Sequence, residues 1–526
     1  MTRHDAVDVV VVGAGMAGAA FCKRLSERAP QLRIVCLERG DWVRPDDMPA
    51  TRRDWQRAGF GAWALSPNER LASGAANLSA DYPIDDTGSA IKPLMWNGVG
   101  GSTINWGAHF PRLHPSDFRT RTLDGVGDDW PFSYFDLEPY YDANDVEMGV
   151  SGLAGDPAYP PKPARRMPPL PLGRLGTTVA RGFDALGWHW WPVDAAINSA
   201  PYDGRAACNH CGPCLLGCVR HAKASVDATY WPKALRNGVE LRPRSVTTEI
   251  VVQGGRATGV RFHDADGAEH ELPATWVVVA GNGIGSARLL LASGIGGDVV
   301  GRNLMFHPVA GAMGVFDAEL DGPAGPAATS IYSHEFYETD PSRDFVRGVQ
   351  LQVAREVSPL SQALGAPLRW GRDAQQLRRR LFRHSAFVGV LIEDLPEPEN
   401  RVVLADRVEA DRLPGVRIEY RLSADSQRRI DFGAARAAEV LQAAGAALVF
   451  PLPQIPEAGW HLLGTARMGS DPRTSVTDAR GRCHDVPNVI VADGSLFPTC
   501  GAVNPGSTIG ALALKVADDL AREVIG

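Results

Sequence analysis

Runs of β-branched residues that end in glycine set the frame of this chain. Asp8-Val-Val-Val-Val-Gly13 is apolar throughout rather than alternating, the pattern of a strand covered on both faces in a parallel sheet. Gly13-Ala-Gly15-Met-Ala-Gly18 leads into a helical stretch from Ala19 to about Ala29. A second apolar run, Leu32 to Leu37, stops at Glu38, which completes a βαβ unit. Thr275 to Gly281 and Asn488 to Gly494 repeat the buried strand entering a glycine turn, and a terminal helix is predicted from about Gly506. Alternation around Gly254-Gly255, from Val246 to Phe262, predicts a hairpin. The style changes over 315–455, where Phe345–Val353 and Arg417–Arg421 alternate as strands of a mostly antiparallel sheet. The predicted fold class is α/β. A Rossmann-like domain over 1–314 resumes over 456–526, with an α+β domain inserted over 315–455. Polar, Gly- and Pro-containing sequence at about 41–92 and 151–203 reads as excursions from the first domain.

Composition refines this only modestly. A length of 526 residues exceeds one hydrophobic core, and 44% hydrophobic with 22% charged residues is an ordinary globular balance. A formal charge of −7 gives no basic face for nucleic acid. The basic stretch Arg369–Arg383 reads as a solvated helix face in preference to a membrane-attracting patch. No apolar run reaches the ~18 residues of a membrane span, and the N-terminus lacks a signal-peptide pattern, so the expected location is cytoplasmic.

The chemistry begins at the first glycine turn. Gly13 permits the tight turn, Gly15 lets backbone approach a pyrophosphate, and Gly18 lets the helix sit close to the strand. The helix N-terminus offers free N–H groups to phosphate, and Glu38 is placed to accept from ribose hydroxyls. FAD is favoured over a nicotinamide by two further features. One is the glycine-dense loop Gly98-Val-Gly100-Gly101-Ser102-Thr103-Ile104-Asn105-Trp106. The other is Asp493-Gly494 followed by a helix starting near Asn504.

With those motifs stand Gly301-Arg-Asn303-Leu-Met-Phe-His307-Pro308, His461-Leu-Leu-Gly464-Thr465-Ala-Arg467-Met468-Gly469, and Asn504-Pro505 through Thr508-Ile509 to Lys515. In this order they resemble the glucose–methanol–choline (GMC) oxidoreductases. Within that family the resemblance is closest to bacterial gluconate, glucose and sorbitol dehydrogenases, through Gly125-Val-Gly127-Asp-Asp129-Trp130-Pro131 and Asp136-Leu-Glu138-Pro-Tyr140-Tyr141. The resemblance implies an FAD enzyme that oxidises the CH–OH group of a sugar, polyol or similar alcohol by hydride transfer to flavin N5. It implies His461 as the base and Asn504 as the residue that hydrogen-bonds the substrate oxygen. Ala280, Asp493, Gly494 and Thr508 join Gly13, Gly15, Gly18, Glu38, Gly100, Gly101 and Asn105 as cofactor candidates. Asn105 stands where some members carry the histidine that bonds FAD covalently, which implies non-covalent FAD. His307 is expected to serve packing or a flavin-side hydrogen bond.

Cys208, Cys211, Cys214 and Cys218 have C-x2-C-x2-C-x3-C spacing, which fits a [3Fe–4S] or [4Fe–4S] cluster or a structural knuckle. Two rival readings remain at this level: oxidation of a hydrophobic alcohol or sterol, and an electron-transfer subunit that only relays electrons. Oxygen, a quinone or a cytochrome are the candidate acceptors.

Overall fold

The computed structural model describes residues 2–51, 54–74, 79–322, 325–326, 329–355 and 371–525. Its first sheet is built around the strand Val7–Val12, with Ile34–Leu37 on one side and Glu269–Val279 on the other. Both pairings are parallel and bring Leu37, Val12 and Val279 level. Glu240–Arg242 continues the sheet beyond Ile34–Leu37, and Val489–Val491 runs parallel to Val277–Val279. Val9, Val10 and Val11 are wholly buried, as their unbroken apolar run demands. The predicted hairpin forms as Val246–Gln253 and Arg256–His263, joined antiparallel to the first half of Glu269–Val279. Because the parallel strands end together, Gly13, Glu38, Ala280 and the Asp493 turn emerge along one edge, where open α/β sheets place ligands. Helix Met16–Arg28 packs on the terminal helix Gly506–Ile525, and Arg24 clasps Asp518 with two 2.7 Å bonds.

The second sheet is antiparallel in every pairing. Its order is Leu448–Leu452, Val309–Val315, Ser385–Ile392, Val349–Ala354, Thr329–Ser333 and Trp191–Pro192. One face, including Ala310, Ala312, Leu351, Val353, Val388 and Val390, buries against helices Gly173–Leu186 and Ala424–Ala443. The stretch 151–203, expected as a surface excursion, therefore holds structure. Leu175, Val179 and Phe183 of its helix are fully buried, and Trp191–Pro192 forms a sheet edge. The stretch 41–92 likewise contributes Ile84–Asp85, parallel to Pro414–Glu419 in a small third sheet. Part of the basic stretch, Arg372–Leu381, is helical; Arg369 and Trp370 lie outside the described residues. Among the described residues no helix is long and apolar enough to cross a membrane.

Candidate active site

A cavity of about 1050 Å³ runs from the carboxyl edge of the parallel sheet to the open face of the antiparallel one. At its first end Gly13 has φ +108°, and a Cβ there would meet the Ala280 carbonyl oxygen at 2.5 Å. A Cβ on Gly18 would lie 1.9 Å from the Gly13 oxygen, so helix and strand approach as closely as their backbones allow. The helix begins at Met16 with no side-chain cap, which leaves its first N–H groups for a ligand. Glu38 is 5% exposed on this wall; its two oxygens accept from Ala14 N–H at 2.8 Å and Gly40 N–H at 2.9 Å. Burial pushes its pKa up against those bonds.

The glycine loop folds directly onto this turn. Gly100 N–H donates to the Ala14 oxygen at 3.0 Å, and Gly101 packs on Gly15. Gly101 and Asn105 line the cavity. Ala280, Asp493 and Gly494 line it also, with the Asp493 carboxylate holding Asn282 N–H at 2.7 Å and the Ser286 hydroxyl at 2.6 Å. Gly18 and Gly100 shape turns behind the wall. Thr508 does not reach the cavity: its hydroxyl is buried against Tyr141 Oη at 2.8 Å.

At the other end His461 and Asn504 come together, with Asn504 Nδ2 at 3.5 Å from His461 Nε2. The proton positions on the imidazoles follow from a carbonyl. His307 Nε2 lies 2.9 Å from the Gly501 oxygen, which can only accept, so Nε2 carries the hydrogen. Burial lowers the His307 pKa to about 4, so the ring is neutral and its Nδ1 is an acceptor. His461 Nδ1, 3.0 Å away, must then donate to it. The lone pair of His461 is thereby placed on Nε2, toward Asn504 and the cavity. Burial, followed by the neighbouring His307 and His109 rings, holds the His461 pKa well below the usual histidine range. Replacing His307 with leucine removes this lock. The limiting rate of substrate oxidation is expected to fall about a hundredfold, between the cost of an outer-shell partner and that of a wrong tautomer. Rapid-mixing kinetics measure it; an unchanged rate contradicts the tautomer argument.

The Asn504 amide is oriented from its other side. Gln352 Nε2 donates to Asn504 Oδ1 at 2.7 Å and also to Gln350 Oε1. Gln350 bonds His334 Nε2; His334 Nδ1 lies 3.2 Å from His114 Nε2, and His114 Nδ1 lies 3.3 Å from Glu338 at the surface. Each donor in this series points outward, from Gln352 toward Glu338, and the Gln352 N–H that Asn504 Oδ1 accepts leaves the Asn504 NH2 group facing His461. His109 completes the wall, buried against the Gln352 and Asn504 amides, with neither ring nitrogen in a well-aligned hydrogen bond. Burial lowers its pKa to about 4. Sequence reasoning missed Gln350, Gln352 and His109. The Val-Gln-Leu-Gln-Val alternation was the available signal, but it ordinarily marks a strand with one solvated face.

The iron–sulfur site that the spacing of the four clustered cysteines allowed finds no support in the structure. Cys211 is exposed and Cys214 buried at the start of a short turn, while Cys208 and Cys218 sulfurs accept from His210 and Lys223 N–H groups. Among the described residues no group of three or more His, Cys, Asp or Glu is placed to hold a metal ion. The segment buttresses the glycine loop instead. Lys223 Nζ, its pKa lowered to about 8 by burial, donates to the Ile104 oxygen at 2.8 Å and the Trp106 oxygen at 3.0 Å. Lys223→Met is expected to weaken FAD retention about tenfold, read as faster release of flavin fluorescence; retention equal to the parent protein refutes the buttress.

Sequence profiles for the two parts of the GMC oxidoreductases match residues 171–309 and 396–513. A 2-methyl-1,2-propanediol dehydrogenase of Mycolicibacterium austroafricanum is 38% identical over 99% of this chain and 96% of its own. The chain belongs to the GMC oxidoreductases. It is thus an oxidoreductase of a family that binds FAD and acts on alcohol groups. The large subunit of a Gluconobacter japonicus fructose dehydrogenase is 29% identical to this GMC oxidoreductase, over 98% of each chain. A Pantoea cypripedii gluconate 2-dehydrogenase flavoprotein is 26% identical over 96% of this chain and 92% of its own. Among solved structures, pyridoxine 4-oxidase from Mesorbium loti superposes with a TM-score of 0.67 at 18% identity, covering 98% of this chain and 99% of the other. It supports the same overall fold.

Proposed function

We propose that this GMC oxidoreductase oxidises an alcohol with non-covalently bound FAD as the hydride acceptor, and that His461 is the base. The observation that carries this reading is the Gly501–His307–His461 hydrogen-bond series, which assigns the free lone pair of His461 to Nε2, on the cavity side. The residues present fit FAD: uncapped helix amides at Met16, a close backbone approach at Gly15, and the Glu38 carboxylate. Asn105 has no imidazole with which to bond the cofactor. Bound FAD supplies a ring that accepts hydride.

The protein's own groups do the rest. Asn504 NH2 donates to the substrate oxygen and holds it beside His461. Nε2 then takes the hydroxyl proton as the carbinol carbon loses its hydride. Burial of the site excludes water and keeps the base neutral. Relatives named for 2-methyl-1,2-propanediol, fructose and gluconate support an alcohol substrate. Mixing the FAD-loaded protein with alcohols without oxygen is expected to bleach the flavin band; no bleaching by any alcohol returns the electron-relay reading. Peroxide formation on admitting air then marks an oxidase, and dependence on an added quinone or dye marks a dehydrogenase.

A further inference from the structure

The open face of the antiparallel sheet is divided across its width. Register places Phe450, Met313, Phe387 and Ala354 in one row, and Leu452, Gly311, Gly389 and Gln352 in the next. Two glycines therefore face each other at the centre. A Cβ on Gly311 would lie 2.8 Å from the Phe387 ring, and one on Gly389 would lie 3.1 Å from it. The ring can lie down on the sheet only because both positions lack side chains. It forms an apolar floor to the cavity, continued by Met313, Phe450, Leu452 and Trp460.

Polar groups gather at one end of this floor, where Gln352 meets Asn504 and His461. Of those that flank it, Gln352 and Arg355 are already engaged. The Gln352 amide holds Gln350 and Asn504, and the Arg355 guanidinium holds the Leu172, Pro171 and Asp321 oxygens. The His109 nitrogens are sealed beneath the wall.

We propose that the substrates are alcohols with a compact hydrocarbon body, that sugars and sugar alcohols are poor substrates, and that Phe387 on its glycine pair sets this preference. The proposal rests on alcohol oxidation at His461. A hexose carries hydroxyls around its whole ring. Each one laid on the floor loses water and gains no partner, at roughly ten- to a hundredfold in affinity. A methyl group in the same place gains apolar burial. The carbinol group meets Asn504 and His461, and the hydrocarbon body covers Phe387.

The test is anaerobic reduction of the FAD-loaded full chain by 2-methyl-1,2-propanediol, 2-methyl-1-propanol, D-glucose and D-sorbitol. The aliphatic alcohols are expected to reduce it with efficiencies at least about a hundredfold above the sugars. Phe387→Ala is expected to shrink that ratio about tenfold, whereas Phe387→Leu keeps most of it. Flavin absorbance and circular dichroism check that each variant is folded; should the alanine variant fail, Gly389→Ser tests the same floor by lifting the ring. Sugars reducing the protein as well as the aliphatic alcohols overturn the proposal and leave alcohol oxidation standing. A ratio unmoved in the folded floor variants removes Phe387 from it. Failure of every alcohol instead overturns the reading of His461 on which the proposal stands.

Discussion

His461→Ala is expected to slow flavin reduction by about a hundred- to ten-thousandfold, the range a positioned general base contributes. The cofactor should stay bound, because the ring's partners are His307 and Asn504 and none belongs to the fingerprint. An unaltered flavin spectrum with a collapsed reduction rate is therefore the signature, and added imidazole should restore part of the rate. Reduction at the parent rate contradicts the base assignment. The pH dependence has a definite sign. Only the neutral ring can accept the proton, and burial lowers the pKa below the free value of about 6.5. The parent rate should thus hold as the pH falls through 6.5 and drop only on the more acid side. A drop centred at or above 6.5 contradicts the buried, neutral base.

Gly18→Val is expected to abolish cofactor binding altogether. Even the first carbon of the new side chain would stand 1.9 Å from the Gly13 oxygen and 3.6 Å from the Ala280 Cβ. Neither backbone can give way, because Gly13 is itself held with φ +108° against the Ala280 carbonyl. Helix and strand must separate, at about 3 kcal/mol or more, and the first-turn amides move off the phosphate site. A colourless protein with a lowered Tm is the expected result, read by absorbance and thermal melting. A yellow variant of parental stability shows that the approach is looser than the geometry states.

The parallel core was legible because its code is local: Val9 to Val11 and Val277 to Val279 are buried on both faces and carry no polar interruption. His461 and Asn504 stood out through motifs that surround them. The rest depended on distance in sequence. Nothing in the Pro-rich run around 151–203 announces that Trp191–Pro192 will edge a sheet whose other strands begin beyond residue 308. Gln352 looked like the solvated half of an alternating strand, since alternation reports that two faces differ and not what each one meets. The cysteine spacing is a local signal of the same kind. Four thiols close in sequence can hold a metal only if the turns between them bring the sulfurs together, and among the described residues no group of three or more such ligands is so placed.

Three of the parallel strands whose turns line the cavity are Val7–Val12, Glu269–Val279 and Val489–Val491, the last paired only with the second. During synthesis the first gains Ile34–Leu37 early, but its other neighbour is made only about halfway along the chain, and Val489–Val491, which pairs beyond that neighbour, comes near the end. Closing such long loops is slow, and unpaired hydrophobic strand edges are open to wrong partners meanwhile. Residues on all three turns line the cavity, so FAD has a complete binding site only after Asp493 has been made. The cofactor should act late in maturation, trapping the finished fold rather than nucleating it, and a shortage of flavin should raise the aggregated share of newly made protein.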